Sequence, residues 1–334
     1  MGQPADSPLQ TPEQPEEVVP RRKRKPTGGF GCLLGLLLGL CGLAATRLGQ
    51  LWIAFDVFSH FTLQFAVVTV GFLAGLAMPR ARLLAATVII VLGLVGIGVW
   101  PHVASREPRS VGQAAAGERA LKVAAFNSFW HNANADAVLA EVERLDADVI
   151  ALVELGPAQR PILDVLKGRY PYQYHCLKTG FCSMALLSKL PFAEAAGRGR
   201  DGGPSFLRAR LGPEAGGLTV FAVHTNRFPR FLQQFSEMKQ LAALIGKAPG
   251  PHLVMGDFNA TPFSRTLSVL PGAANLTRLT NLPSWPAQAG LPQLAIDHIF
   301  VSPGIRLLEA ERIGEPAGSD HYPVALSIAV PLQP

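Results

Sequence analysis

Side chains that can bind a divalent cation or move a proton lie at the ends of the apolar runs of this sequence at six places. Each apolar run has the length of a strand, and α/β folds bind their ligands where strand ends meet at one edge of a sheet. Any one of these residues alone is equally well explained by a helix cap, a turn or a hydrogen-bonded core imidazole. Their repeated placement predicts a shared catalytic site. The residues are Asn127, Glu154, His224, Asp257 with Asn259, Asp297 with His298, and Asp320 with His321.

Metal-assisted hydrolysis of a phosphate ester is the chemistry that needs such a set. We expect Glu154, with Asp320 and Asn127 beside it, to hold Mg²⁺ against a phosphoryl oxygen, because carboxylate and amide oxygens suit this ion. His321 is the candidate base that activates water. Asp297 would fix the tautomer of that imidazole and stabilise its cationic form.

The other polar residues at strand ends are expected to contact the substrate. His224 would donate to the phosphate or to the leaving oxygen, and Asp257 and Asn259 would orient the nucleophile and the phosphorus. No glycine-rich phosphate loop or serine nucleophile elbow suggests a competing chemistry. Further phosphate or substrate contacts are expected from Asn226, Arg227 and Ser188.

The composition divides the chain into a membrane part and a globular part. Of the 334 residues, 49% are hydrophobic and 16% charged, and the mean hydropathy is +0.24, which is too apolar for a soluble protein of this length. We predict a disordered basic cytoplasmic tail over residues 1–29 and a transmembrane region over 30–100, with spans at about 30–46, 61–78 and 83–100. A linker over 101–118 and a catalytic domain over 119–334 follow.

Basic residues predict the orientation in the membrane. The run Arg21–Lys25 precedes the first apolar segment, and Arg80 and Arg82 lie between the second and third. The positive-inside rule places both regions in the cytoplasm, so the catalytic domain is expected on the extracytoplasmic side of the cell membrane. Cleavage of the first segment as a signal peptide would leave this orientation unchanged. Asp56 and His60 are interpreted as part of an interfacial connection between the first two segments.

Charge and cysteine content narrow the partners and the compartment. The domain after residue 118 has twenty Lys/Arg and seventeen Asp/Glu, a net charge of +3, so only a local patch with Arg227 and Arg230 is basic enough to suggest nucleic acid. Cys176 and Cys182 are spaced closely enough to close a small loop, and in an oxidising compartment we expect them to form a disulfide.

The order of the apolar runs predicts the fold class. Strands come both in pairs and separated by helices, which favours a mixed α/β sandwich of two sheets over a doubly wound sheet. A helix is expected over Phe231–Ile245 and a second around Val138–Leu145. The predicted strands are Leu121–Phe126, Asp148–Leu152, Ser183–Leu187, Phe206–Leu211, Leu218–Val223, Leu253–Met255, Ala295–Val301, Arg306–Ile313 and Val324–Ala329.

Several motifs, and the order in which they occur along the chain, resemble those of the endonuclease/exonuclease/phosphatase superfamily. This superfamily includes deoxyribonuclease I-like nucleases, abasic-site endonucleases, neutral sphingomyelinases and inositol polyphosphate phosphatases. The resemblance covers residues 120–331, and the chain also looks like the bacterial membrane-anchored subgroup, in which hydrophobic spans precede the catalytic domain. It implies a four-layer α/β sandwich, dependence on Mg²⁺ or sometimes Mn²⁺, and the residue roles given above. The motifs are Phe126-Asn127, Asp148–Glu154, Ala185–Pro191, Val223-His224, Gly256–Asn259, Ile296–Phe300 and Ser319–His321.

Two departures bear on the substrate. His224 stands where abasic-site endonucleases have a tyrosine, which favours the phosphodiesterase and nuclease branches with two catalytic histidines. Between Asn259 and Asp297 the chain is short and its only basic residues are Arg265 and Arg278, so no long insertion for gripping a duplex is visible. Both departures argue against lesion-specific DNA repair.

The sequence therefore predicts a membrane-anchored, metal-dependent phosphoesterase that hydrolyses phosphodiester bonds, with nucleic acid as the first substrate to consider. A lipid phosphodiesterase or phosphatase, similar to sphingomyelinases or inositol phosphatases, is the alternative within the same chemistry. A membrane-tethered binding module without catalysis is the alternative from another class, and the complete acid and base set argues against it. No protein partner is predicted.

Overall fold

The computed structural model describes residues 28–107, 109–177, 182–199 and 203–332, so the tail predicted over residues 1–29 lies almost entirely outside the described residues. The helices are α1 (Gly29–Gly49), α2 (Asp56–Ser59), α3 (Thr62–Ala77), α4 (Arg82–Ala104), α5 (Ala135–Leu145), α6 (Ile162–Val165), α7 (Phe231–Lys247) and α8 (Val269–Ala274). The strands are β1 (Glu118–Asn127), β2 (Val149–Val153), β3 (Tyr172–His175), β4 (Ala185–Ser188), β5 (Phe192–Arg198), β6 (Ser205–Leu211), β7 (Thr219–His224), β8 (His252–Asp257), β9 (Thr277–Arg278), β10 (Asp297–Val301), β11 (Arg306–Ile313) and β12 (Val324–Pro331).

The strands of the described part form two six-stranded mixed sheets. The strand order is β11-β12-β1-β2-β4-β3 in the first sheet and β5-β6-β7-β8-β10-β9 in the second. Each sheet contains one parallel pair, β1 with β2 and β7 with β8. Helices cover the outer face of each sheet, which confirms the predicted four-layer α/β sandwich.

Three apolar clusters hold the layers together. The inner faces of both sheets share one cluster, in which Val123, Leu253 and Ile299 are fully buried. A second cluster packs α5 and α6 on the first sheet, and a third packs α7 and α8 on the second. Side chains alternate between the faces of a strand, so strands buried on both faces are continuous apolar runs. This is why the central strands were predictable from the sequence.

The strands missing from the prediction lie at the edges of the sheets, and the short helices α6 and α8 were also not predicted. β3, β5 and β9 are terminal strands, and β5 is exposed at most positions. An edge strand that contributes little to a core carries no apolar alternation, so its sequence gives no periodic signal.

The linker predicted over residues 101–118 is shorter in the structure. Helix α4 continues to Ala104. Beyond it, Ala310 N donates to Arg109 O over 2.9 Å and Val111 N donates to Leu308 O over 2.7 Å. These bonds add residues 109–111 to the edge of the first sheet beside β11, so the segment that connects the two parts of the chain is anchored.

The N-terminal helices pack as a bundle beside the sandwich. Two of them, α1 and α4, are long and apolar enough to cross a membrane, and the bent segment from Ile53 to Ala77 would count as a third span. Helix α1 approaches α3 through glycines. A side chain at Gly35 or Gly42 would collide with the ring of Phe72 or Phe65, respectively. Small residues allow this close approach, as in packed membrane helices.

The turn between α1 and α3 docks on the α/β domain through a buried carboxylate. Asp56 is 3% exposed. Its oxygens accept hydrogen bonds from Ser264 Oγ (2.7 Å), Thr266 Oγ1 (2.8 Å), Arg265 N (2.8 Å) and Thr266 N (3.1 Å). Four donors satisfy the charge of a carboxylate that would otherwise be costly to bury. Asp56 therefore does more than occupy an interfacial connection, because it fixes the 264–266 turn.

Two further contacts join the helices to the domain. Thr261 N donates to His60 Nδ1 over 3.2 Å. At the end of α4, Ile313 N donates to Ser105 Oγ over 2.9 Å, and the ring of His102 lies edge-on to that of Tyr322 at 5.2 Å. The helical bundle consequently contacts loops directly adjacent in sequence to the polar residues at the strand ends.

Candidate active site

The topology brings the predicted residues to one end of both sheets. In the first sheet, the parallel strands β1 and β2 end at Asn127 and just before Glu154. In the second, β7 and β8 end at His224 and Asp257, which are paired in register. The carboxyl ends of parallel strands lie at the same edge, and the two sheets face each other, so these four residues meet at one end of the sandwich.

The remaining acids and the second histidine come from antiparallel strands that enter at this edge. β10 starts at Asp297, directly opposite Asp257. β12 runs antiparallel to β1. The residues before it therefore lie beside the end of β1, where Ser319 Oγ donates to Asn127 O over 2.6 Å. Asp320 and His321 follow that serine.

His321 and Asp297 form a buried acid and base pair. His321 Nδ1 lies 2.7 Å from Asp297 Oδ2, and both side chains are almost fully buried. Ser284 Oγ donates to the same carboxylate oxygen over 2.7 Å. The carboxylate thus assigns the proton to Nδ1 and leaves Nε2 facing the site. This is the orientation that a general base needs.

Asn127, Asp257 and Asn259 form a hydrogen-bonded set on the other side of His321. Asn127 Nδ2 lies 3.0 Å from Asp257 Oδ2 and 3.3 Å from His321 Nε2. Asn259 donates to Asp257 through its main-chain nitrogen (2.8 Å) and its side-chain Nδ2 (3.1 Å). Phe129 N donates to Asn127 Oδ1, which fixes the orientation of that amide.

His224 lies close to both Glu154 and Asp257. His224 Nε2 is 3.3 Å from Glu154 Oε1 and 3.7 Å from Asp257 Oδ2. Glu154 has a φ of 54° and Asn259 a φ of 48°. Residues other than glycine adopt this left-handed conformation at a cost, and such strain concentrates at functional sites. The conformation is unusual for Glu154, whereas asparagine, as at position 259, is one of the residues that adopt it most readily.

The donor set fits a hard divalent cation. Metal-binding donors within 4.8 Å of one another come from Glu154, His224 and Asp257, and again from Asp257, Asp297 and His321. Asp297 Oδ1 and Asp320 Oδ1 are buried and accept no hydrogen bond from the described residues. Buried carboxylates close together repel unless a cation compensates them, and carboxylate oxygens are the ligands Mg²⁺ prefers.

Asp320 lies at the border of this set. Its Oδ2 accepts a hydrogen bond from Trp285 Nε1 over 3.2 Å, and its Oδ1 lies 3.9 Å from His321 Nε2. The expected metal group of Glu154, Asn127 and Asp320 therefore shares this end of the sandwich. Asp257, which the sequence assigned to orienting the nucleophile, groups with Glu154 and His224, with candidate ligand atoms within 4.8 Å of one another.

Burial and neighbouring charges shift the proton equilibria of the site. Burial lowers the pKa of His321, but Asp297, Asp257 and Asp320 outweigh it and raise the pKa to about 10. Burial raises the pKa of Asp257 to about 6. Burial also raises the pKa of Glu154, but the hydrogen bond and charge of His224 lower it to about 2. A divalent cation among these carboxylates opposes protonation of His321, because it repels the imidazolium.

Several residues that support the candidate site were not predicted from the sequence. Ser284 and Trp285 bind Asp297 and Asp320, and Trp130 N donates to Glu154 Oε2 over 3.3 Å. They lie in loops, where no periodicity marks them. Ser319 could have been predicted from the sequence, because it belongs to the Ser319–His321 motif.

The three residues predicted as further substrate contacts differ in their distance from the candidate site. Asn226 follows His224, but both its nitrogens donate to Glu237 (2.9 and 2.6 Å), while Arg227 beside it is exposed. Ser188 does not join the site. It pairs with Val149 at the start of β2, opposite the end that leads to Glu154, and its hydroxyl is bonded to Leu190. We therefore withdraw Ser188 as a phosphate contact.

The structure also shows the surroundings of His298 and the pairing of two cysteines in the domain. His298, although adjacent to Asp297, points away into the core, where Nε2 lies 2.9 Å from Ala260 O and Nδ1 3.1 Å from Thr280 Oγ1. Burial lowers its pKa to about 4. It is a hydrogen-bonded core imidazole. Cys176 and Cys182 are joined in a disulfide.

Solved structures share this fold. The endonuclease/exonuclease/phosphatase from Bacteroides vulgatus has a TM-score of 0.55 at 16% identity, over 64% of this chain and 99% of its own. D. rerio TDP2, humanized by 14 mutations, has 0.52 at 16%, over 63% and 98%. Beta toxin from Staphylococcus aureus has 0.50 at 15%, over 63% and 99%. Identities this low demonstrate a common fold and leave the substrate open.

Comparison of the sequence with family models identifies the family. No curated protein matches the chain by sequence. The model of the Endonuclease/Exonuclease/phosphatase family matches residues 124–321, a range that begins in β1 and ends at His321. It therefore spans the residues of the candidate active site from Asn127 onward. With this match over more than half of its length, the chain belongs to the endonuclease/exonuclease/phosphatase family of phosphoesterases, as its motifs predicted.

Proposed function

We propose that this protein is a metal-dependent phosphodiesterase, anchored in the membrane by its N-terminal helices with the catalytic domain on the extracytoplasmic side. The observation that carries the proposal is the buried contact of 2.7 Å between His321 Nδ1 and Asp297 Oδ2, beside carboxylates suited to a cation. A binding module would have no use for an oriented base next to a metal-binding group.

In the proposed reaction, His321 Nε2 takes a proton from water while the water oxygen bonds to phosphorus and the bond to the leaving oxygen breaks. Asp297 holds the resulting imidazolium. Asn259 and Asp257 orient the phosphate and the nucleophile, and His224 donates to the leaving oxygen. Mg²⁺ held by Glu154, with Asp257, Asn127 and Asp320 nearby, would neutralise the charge that develops on the phosphoryl oxygen.

Nucleic acid and membrane lipid are the two phosphodiesters to compare. Extracellular nucleic acid fits the proposed compartment. A lipid is favoured by the docking of the helical bundle beside the site, because His102 at the end of α4 stacks edge-on against Tyr322, the neighbour of His321. The net charge of +3 after residue 118 is too small to predict a basic surface that tracks a duplex across the domain.

The test uses the full chain in detergent, because Asp56 ties the helices to the domain. It should hydrolyse bis-(p-nitrophenyl) phosphate with Mg²⁺ or Mn²⁺ and stop with EDTA. DNA, RNA, sphingomyelin and phosphoinositide assayed in parallel identify the substrate class. Undiminished hydrolysis in EDTA would contradict the metal-dependent mechanism. An alkaline phosphatase fusion after Arg106 tests the orientation, and an inactive fusion would contradict it.

A further inference from the structure

An exposed apolar and basic face lies on α7 and the loop before it. Phe228 is 58% and Leu232 62% exposed. Arg230 lies between them, is exposed, and forms no ion pair with a carboxylate of the described residues. Phe235 and Lys239 continue the same side of the helix at spacings of three and four residues, with Lys239 Nζ 4.5 Å from the Phe235 ring centroid. We call these five residues the α7 face.

The α7 face has few acids to compensate its charge. Between Arg227 and Lys247 the only acid is Glu237, which is buried and bound to Asn226. The surface is therefore cationic with apolar side chains interleaved. An exposed combination of this kind is typical of segments that lie at a lipid headgroup layer, where rings and leucines enter the boundary and cations contact phosphates.

The α7 face is continuous with the end of the first membrane helix. Arg265 connects the two, since its Nη1 donates to Leu51 O over 2.8 Å and its guanidinium lies 5.4 Å from the Phe235 ring centroid. Leu51 is 67% and Trp52 61% exposed, directly after α1. A tryptophan at the end of an apolar helix marks the level of the headgroups. The path from Trp52 through Arg265 to Phe235 places the α7 face beside that level.

We propose that the α7 face lies in the headgroup layer of the membrane that the N-terminal helices cross, where it contacts anionic phospholipid and holds the active site at the lipid surface. This rests on the membrane anchoring in the proposed function. His224 lies four residues before Phe228 on the same chain segment. The loop that follows His224 is therefore seated on the membrane, and phosphodiesters at the membrane surface reach the site first.

A spin label measures the position directly. The full chain with Cys32→Ala, Cys41→Ala and Leu232→Cys carries a nitroxide and is reconstituted in nanodiscs of phosphatidylcholine with phosphatidylglycerol. Val165→Cys is the matched control, because Val165 is 63% exposed on α6 on the other sheet. The label at position 232 should be relaxed mainly by oxygen, which concentrates in lipid, and the label at 165 mainly by a water-soluble nickel chelate. Equal access of the chelate to both labels would overturn the proposal.

A second variant tests the charge. Arg230→Gln should lower the ratio of lipid-contacting to water-exposed label about fivefold when phosphatidylglycerol is present, and should have no effect in phosphatidylcholine alone. An unchanged ratio in both would overturn the role of anionic lipid. The label reading requires no hydrolysis, so a lipid-contacting label on an inactive protein would refute the catalytic proposal alone. A water-exposed label on an active protein would refute this inference alone.

Discussion

The imidazole of His321 contacts a protein group through each of its nitrogens, and its protonation depends on both contacts. Nδ1 faces Asp297, whereas Nε2 faces Asn127 Nδ2 and lies 4.0 Å from Asp257. The carboxylates raise the pKa to about 10, so without a cation the ring is charged at neutral pH. Only a neutral ring can accept a proton from water. The proposed metal binding would therefore be coupled to the strength of His321 as a base.

Replacement of Asp297 by asparagine should show how strongly this carboxylate controls the protonation of His321. Asp297→Asn removes the charge that orients and stabilises the imidazolium, and we expect hydrolysis of bis-(p-nitrophenyl) phosphate to fall about 10²–10⁴-fold. The pH at which the rate rises should also move down, because the pKa of His321 falls. Asp164→Asn, at an exposed acid paired with Lys167, is the control. A rate and pH profile equal to those of this control would exclude Asp297 from catalysis.

The same pKa predicts a pH dependence of stability in the metal-free protein. The folded-state pKa of His321 lies near 10, above the ordinary 6.5, so protonation stabilises the fold. This contribution is complete below pH 6.5 and is lost as the pH rises through 10. The unfolding temperatures of the protein and of His321→Gln, measured in EDTA, should therefore converge over this range. A constant difference between them would contradict the raised pKa.

At the level of elements, the close approach of β7 and β8 requires Gly256. This residue has a φ of 141°, and a Cβ here would collide with the carbonyl oxygen of Val223. Because Val223 precedes His224 and Gly256 precedes Asp257, the contact sets how near the two functional side chains stand.

Gly256→Ala should therefore destabilise the domain by about 1–3 kcal/mol or more. Gly246→Ala in α7, where a Cβ meets no atom within 4 Å, is the matched control and should be neutral or slightly stabilising. Thermal unfolding of the two variants in parallel makes the comparison. Equal unfolding temperatures would mean that the β7–β8 contact relaxes without cost.

The sequence predicted the elements that are regular and buried. The central strands and the stripe of α7 follow from apolar periodicity, and Asn127, Glu154, Asp257 and His321 follow from polar residues at the ends of those runs. Ser188 was misplaced because the direction of β4 relative to β2 is a tertiary property. Ser284 and Trp285 were missed because a loop residue that binds a distant carboxylate carries no local pattern.

At the level of the whole molecule, the helical bundle and the catalytic domain are joined by specific polar contacts. Asp56 accepts four hydrogen bonds from the turn at 264–266, which follows Asn259 by a few residues. No sequence pattern links residues separated by about two hundred positions, so this docking emerged only from the structure. The contacts make the N-terminal helical segment a support for the loop that leaves the candidate active site.

Asp56→Asn should loosen that loop. The amide places N–H groups against donors of the turn, and an unsatisfied buried group costs about 1–3 kcal/mol. Amide hydrogen exchange of residues 261–266 in the full chain should accelerate about tenfold or more, with little change in the strands. Asp136→Asn, at an exposed acid, serves as the control. Unchanged exchange in the turn would show that the docking does not depend on the carboxylate.

Loss of His321 tests the central claim most directly. The initial rate of bis-(p-nitrophenyl) phosphate hydrolysis with Mg²⁺ is compared for the full chain, His321→Ala and His131→Ala, where His131 is an exposed histidine near the site. We predict that His321→Ala lowers the rate about 10²–10⁴-fold and that His131→Ala leaves it unchanged. Equal rates for the full chain and His321→Ala would contradict the assignment of His321 as the base.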